Sequence, residues 1–230
     1  DLGEVDRIIT LLTRTNGRVR AVAKGVRRSR SRFGARLEPF GHVDLQLYEG
    51  RSLDTVTQVE TFRAYGAELV GDYRRWTAGT AMLEAAERLT PVDRQPAGQQ
   101  YLLLVGGLRA LADNTHDPRM VLDAYLLRSM AVSGWTPSFS DCARCGARGP
   151  HRSFHLASGG AMCASCRPAG SATPRPEALV LLGALLSGEW ELVDDADQRV
   201  QREGSSLVAA FVQWHLERQL RSLPLVGAAP

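Results

Sequence analysis

Residues 6–36 read DRIITLLTRTNGRVRAVAKGVRRSRSRFGAR, and this stretch decides the fold. Two apolar, β-branched runs, 6–15 and 18–26, flank Asn16-Gly17, a dipeptide that favours a two-residue hairpin turn because both residues tolerate positive φ. The second run alternates: Val19, Ala21 and Ala23 share one face, and Arg18, Arg20, Val22 and Lys24 the other. The first face is predicted to enter a core, and the second to meet solvent or a ligand. Between Arg18 and Arg36 lie eight basic residues (Arg18, Arg20, Lys24, Arg27, Arg28, Arg30, Arg32, Arg36) and no acidic one. Charges this dense repel one another, and a folded domain keeps them together where a polyanion offsets the repulsion. A solvated basic loop is the alternative.

Downstream of the Arg- and Ser-rich connection 27–34, Val43, Leu45 and Leu47 alternate with Asp44, Gln46 and Tyr48 and predict another strand. Glu49-Gly50 then turns the chain into a strand over 53–59. Short strands and tight turns within residues 1–60 predict a small all-β unit, with the oligonucleotide-binding (OB) barrel as the preferred case. Such barrels track the backbone of a nucleic-acid strand with positive charge and stack bases on aromatic faces. Phe33, Phe40 and Tyr48 are the candidate platforms, with core packing as the competing reading of each.

Beyond residue 60 the spacing becomes helical, over 62–89, 99–112, from Pro118 onward behind the capping residue Asp117, over 176–186 and over 205–223. The fold class is therefore α+β: a barrel at 1–60 and a helical domain at 61–230. Trp76, Trp135, Trp190 and Trp214 read as core or interface packing.

The helical domain carries all four cysteines, as Cys142-x2-Cys145, seventeen residues, then Cys163-x2-Cys166, inside an insertion at 141–168. Two such knuckles converge naturally on one tetrahedral Zn²⁺. Two disulfides would suit an exported domain, and no export leader is evident. A redox pair would need a CxxC at a helix N-terminus, which neither pair has. Four protein ligands close the site, so its predicted role is structural. Phe154, Leu156, Gly159-Gly160 and Met162 between the knuckles suggest a short hairpin, with His151 and His155 as surface or packing residues.

The chain totals +3, yet residues 1–40 hold ten basic and four acidic side chains, or +6, and the rest −3. One end is thus built to meet an acidic partner. A hydrophobic content of 44% over 230 residues supports a substantial core, and no apolar run approaches the ~20 residues of a membrane span. The expectation is a soluble, cytoplasmic protein with no membrane partner. Lys24 is the single lysine against 27 arginines, a bias spread over the whole chain. No nucleophile elbow, phosphate loop, H-E-x-x-H pair or dinucleotide fingerprint occurs, so no enzymatic activity is predicted, and Asp194, Asp195 and Asp197 read as a solvated loop.

The run DRIITLLTRTNGRVRAVAKGVRRSRSRFGARLEPF, the helical region, the four-cysteine insertion and the terminal HLERQLRSLPLV together resemble the bacterial RecO recombination mediators, and the Arg- and Ala-rich composition resembles an actinobacterial member. This resemblance implies a protein of the RecFOR DNA-repair pathway that binds single- and double-stranded DNA, anneals complementary strands and promotes loading of RecA onto strands coated by single-strand-binding protein (SSB). RecR and the SSB C-terminal tail would be its partners, RecA an indirect one, and the bacterial nucleoid its location. The eight basic residues named above would be the DNA contacts, and Cys142, Cys145, Cys163 and Cys166 would match the zinc-bearing branch of the family. Family members normally begin with further residues that form a first barrel strand, so the barrel is expected to be open here. An adaptor that binds an acidic protein tail, with DNA held by its partner, is the competing reading.

Overall fold

The computed structural model describes residues 4–28, 31, 33–217 and 219–226. Strand β1 (Arg7–Thr13) pairs antiparallel with β2 (Gly17–Ala23), so the predicted hairpin is present. Its turn differs from the expected two-residue form. Residues 14–16 make the loop, and Gly17, paired with Thr13, takes φ +60°. The neighbouring chain imposes this, because a Cβ on Gly17 would lie 1.7 Å from the carbonyl oxygen of Gln95.

After a 3₁₀ turn at Gly34–Leu37, β3 (Gly41–Tyr48) and β4 (Asp54–Ala64) complete an OB-like sheet of order β1-β2-β4-β3. β2 meets β4 in parallel at Ala21 and Val22. Ala21, Ala23, Phe33, Val56 and Val59 form its core, with Val43, Leu45 and Leu47 packed against them. The alternation read in the sequence therefore points inward as expected, although Val22, placed with the basic residues, is also buried.

β4 runs through residue 60, where the domain boundary was expected, and on to Ala64. The helix predicted over 62–89 is instead the end of β4, a short α1 (Tyr65–Leu69) and α2 (Tyr73–Leu89). Cross-strand pairing of residues 61–64 with β3 overrides the local helical spacing there, while Asp72 starts α2 by accepting the backbone N–H groups of Arg74 and Arg75.

α3 (Gly98–Asp113) and α4 (Pro118–Val132) follow. Eleven of the fifteen residues of α4 are buried, which makes it the central helix, packed by α2 and α3. Asp117 accepts from the Arg119 N–H and Pro118 occupies the first turn, as the sequence predicts. Strands β5 (Ser153–His155) and β6 (Gly160–Met162) form the small hairpin, and α5 (Pro176–Ser187), α6 (Trp190–Asp194), α7 (Gln198–Leu216) and α8 (Leu223–Val226) close the domain.

α7 begins seven residues before the expected start at Ser205 and ends at Leu216, where Glu217 adopts φ +53°. The acidic cluster is exposed, as expected, with Asp194 at the end of α6 and Asp195 and Asp197 in the connection to α7, but two of its members have structural partners. Asp197 caps α7 through the Arg199 N–H, and Asp194 binds His116 at 2.8 Å. Trp76 and Trp190 pack against the core as expected, whereas Trp135 and Trp214 are exposed. Among the described residues no helix is long and apolar enough to cross a membrane.

Candidate nucleic-acid interface and metal centre

The antiparallel register sets the outer face of the hairpin, placing Arg20 across from Thr10 and Arg18 across from Leu12. β2 ends at Ala23, and the chain turns at Gly25 (φ +67°), whose N–H donates to Asp6 Oδ1 at 2.7 Å. Backbone bonds from Arg27 N–H to Val5 O (3.1 Å) and from Ser31 N–H to Arg28 O (2.9 Å) fix the next turn. Arg20, Lys24, Arg27, Arg28 and Arg36 are all exposed along this path. Arg7, Arg27, Arg28, Ser31 and Glu38 line a shallow recess of about 490 Å³ beside it. Among the described residues Arg20, Lys24, Arg28 and Arg36 have no carboxylate partner. Arg30 and Arg32 lie outside the described residues.

Arg18 stands apart from this group. Its guanidinium donates to Asp93 Oδ1 at 2.6 Å and to the Pro91 carbonyl at 2.6 Å, so it joins the barrel to the α2–α3 connection. Beside it, Arg94 N–H donates to Arg18 O at 2.7 Å, and Arg94 Nη2 donates to both oxygens of buried Asp54 at 2.7 and 2.8 Å. Asp54, Asp93 and Arg94 escape a sequence reading because the partners lie 40 and 75 residues apart.

Two of the three aromatic candidates are core residues. Phe33 is 3% exposed inside the barrel, and Phe40, 4% exposed, packs edge-on against Trp76 with centroids 4.8 Å apart. Tyr48 is 71% exposed, but it shares its face with Asp44, which stands in register against Glu60. That outer surface of β3 and β4 carries Asp44 and Glu60, whereas the exposed basic residues Arg20, Lys24, Arg27 and Arg28 lie on β2 and the turn after it. Phe62, which the sequence reading missed, is exposed because the register shift after His42 leaves it in a bulge.

The four cysteine Sγ atoms lie within 4.8 Å of one another. Cys145 and Cys163 sulfurs are 3.8 Å apart, matching the edge of about 3.8 Å that a tetrahedron of roughly 2.3 Å metal–sulfur bonds requires. Each knuckle is shaped by its backbone: Gly146 N–H donates to Cys142 O at 2.9 Å with φ +71°, and Arg167 N–H donates to Cys163 O at 3.0 Å. Backbone N–H groups of Cys163 and Cys145 hold the Cys142 thiol down to about 6, whereas the crowding thiols of Cys163 and Cys145 push Cys166 up to about 12. Four thiolates this close need a cation among them, which is the fit expected of a soft divalent metal. His151 bonds the Ala147 carbonyl and His155 bonds Ser158 Oγ, both at 2.8 Å, so neither joins the thiols.

The hairpin beneath the thiols is part of the main core. Phe154 is 1% exposed, stacked on Phe139 at 6.0 Å and edge-on to Phe211 of α7 at 6.5 Å. The segment between the two cysteine pairs is thus anchored in the core through Phe154, and a metal held by the four thiols would fasten it at both ends.

The chain thus combines an OB-like sheet carrying a basic hairpin with a helical region that gathers four cysteine thiols. The family model for the recombination protein O N terminal matches residues 1–65, and that for its C terminal matches residues 70–224. The chain is 61% identical over 229 residues to the DNA repair protein RecO of Thermobifida fusca (strain YX), covering 100% of this chain and 94% of that one. It is 61% identical to RecO of Streptomyces avermitilis over 231 residues (98% and 93% covered) and 60% identical to RecO of a Nocardioides species over 228 residues (98% and 93% covered). The chain belongs to the RecO family of DNA repair proteins.

Proposed function

We propose that this protein is a recombination mediator without catalytic turnover, which binds single- and double-stranded DNA and anneals complementary strands. In this reading it loads RecA onto SSB-coated strands together with RecR, contacting the SSB C-terminal tail, in the cytoplasm at the nucleoid. The observation that carries the proposal is that Arg20, Lys24, Arg27, Arg28 and Arg36 are all exposed on the hairpin of an OB-like sheet and the segment that follows it, with Arg30 and Arg32 as further contacts in the same stretch of sequence.

The mechanism is electrostatic. Guanidinium groups neutralise phosphates, release condensed counterions and lower the repulsion between two strands, with no base readout. The metal is a single Zn²⁺ held by Cys142, Cys145, Cys163 and Cys166, where it supplies folding energy and no open coordination position.

Fluorescence anisotropy of a labelled single-stranded oligonucleotide across a salt series tests this. Tight binding that falls steeply with salt, and annealing of an added complement, is the expected result. DNA binding that stays weak at every salt, with an acidic peptide bound instead, would overturn it in favour of the adaptor.

A further inference from the structure

The metal-bearing insertion has its own charge pattern. Residues 141–175 contain five arginines and one acidic residue, Asp141. Arg175 is ion-paired with Glu203 of α7 at 3.4 Å. The other four, Arg144, Arg148, Arg152 and Arg167, are exposed, and among the described residues none has a carboxylate partner.

The knuckles gather these four side chains onto one module. Arg144 sits between Cys142 and Cys145, and Arg167 follows Cys166 directly, while the sulfurs of these cysteines converge within 4.8 Å. Arg148 follows Ala147, whose carbonyl accepts from both the Cys142 N–H at 2.9 Å and His151 at 2.8 Å. Arg152 precedes β5, whose first residue Ser153 pairs with Met162 next to Cys163. Long side chains from these anchor points reach solvent around a single metal centre.

We infer that the metal-bearing module is a second nucleic-acid-backbone site, in which Arg144, Arg148, Arg152 and Arg167 contact phosphates independently of the barrel hairpin. This rests on the DNA-binding reading of the whole protein and adds to it a second strand-holding surface. Annealing needs two strands held by one protein or one assembly, and one basic hairpin supplies a single track.

A phosphate backbone fits this surface better than an acidic peptide does. Protein partners anchor through apolar side chains seated in pockets. The exposed large hydrophobic residues of the described chain stop at Trp135 and resume at Val180, leaving none within the module. A surface of arginine without apolar anchors recognises charge and little else.

The test uses the full, metal-loaded chain and a labelled oligothymidylate. A variant carrying Arg144→Gln, Arg148→Gln, Arg152→Gln and Arg167→Gln is compared with a barrel variant carrying Arg20→Gln, Lys24→Gln and Arg28→Gln. Metal stoichiometry and thermal midpoint establish folding, and should the fourfold variant lose metal, Arg148→Gln with Arg152→Gln, both outside the knuckles, replaces it. The expected result is a loss of about tenfold or more in affinity at low salt and a salt slope reduced by about 0.7 per arginine removed, with slower annealing. Unchanged affinity, slope and annealing in a metal-loaded variant, while the barrel variant loses binding, overturns this inference alone. Unchanged binding in both variants overturns this inference and the hairpin assignment together, and a parent chain that binds weakly at every salt overturns the DNA-binding reading itself. Loss of affinity for a polyglutamate peptide with DNA binding intact overturns the assignment to nucleic acid.

Discussion

Arg18 Nε lies 2.6 Å from Asp93 Oδ1, tying the second strand of the barrel to the segment between the two first long helices of the helical domain. The Arg18 side chain is only 18% exposed, and its second donor is committed to the Pro91 carbonyl. A residue that reads in the sequence as one more phosphate ligand thus serves as a tether between domains.

Arg18→Ala should therefore act on stability more than on DNA. Two charge-assisted bonds at a partly exposed site contribute on the order of 1–2 kcal/mol, after discounting for solvent. Thermal unfolding should show a lowered midpoint, while the salt slope of DNA binding should change less than for Arg20→Ala or Arg28→Ala. A slope change equal to those variants would make Arg18 a phosphate contact after all.

Gly17→Ala addresses the same junction from the backbone. The added Cβ would meet the Gln95 carbonyl oxygen at 1.7 Å, and φ +60° disfavours any side chain. A loss of about 3 kcal/mol is expected, since strain and overpacking combine. Urea titration would register it; a variant as stable as the parent would show that the hairpin and the 91–98 segment separate easily.

Cys145→Ser should release the metal and loosen the hairpin over the helical core. The deleted thiolate leaves three ligands, and Phe154 then loses the fastening above it while keeping its contacts with Phe139 and Phe211. A drop of several kcal/mol is expected, with chelator treatment of the parent reproducing it. Metal analysis by mass spectrometry together with near-ultraviolet circular dichroism would check both effects. Full metal content in the variant would refute the four-thiolate assignment.

Asp123 makes stability depend on pH from inside the core. It is fully buried on α4, bonded to Arg119 Nε at 3.2 Å and to Ser205 of α7. Burial pushes its carboxyl up to about 6, against the pull of Arg119. The folded state then holds a proton that the unfolded chain has released, so this contribution is present below the ordinary carboxylate range and is lost as pH rises through about 6. Asp123→Asn should remove up to about 1.4 kcal/mol per pH unit of that slope in this window, measured as the difference between parent and variant. Parallel stability curves would show that Asp123 stays ionised throughout.

Local signals made much of the molecule legible. The alternation in residues 18–24 placed Ala21 and Ala23 in the barrel core, and Asp117-Pro118 started α4 where expected, because strand faces and helix caps are decided by residues only a few positions apart. The cysteine spacing likewise foretold the gathering of four sulfurs. Where long-range pairing competed with local periodicity, the reading failed: Thr61 to Ala64 joined β3 in a sheet, and Phe33 and Phe40, set among charges in the sequence, turned into separate cores.

The sequence by itself determined the barrel hairpin, the start of α4, the pairing of cysteines into two knuckles and which end of the chain is basic, since these follow from side-chain chemistry and short-range geometry. The tertiary structure alone decided how the charges are used. It turned Arg18 inward to Asp93, placed Asp54 under Arg94, and left Arg20, Lys24 and Arg28 facing outward. Ion pairs between residues 40 to 75 positions apart exist only once the core has closed, and no local pattern encodes them.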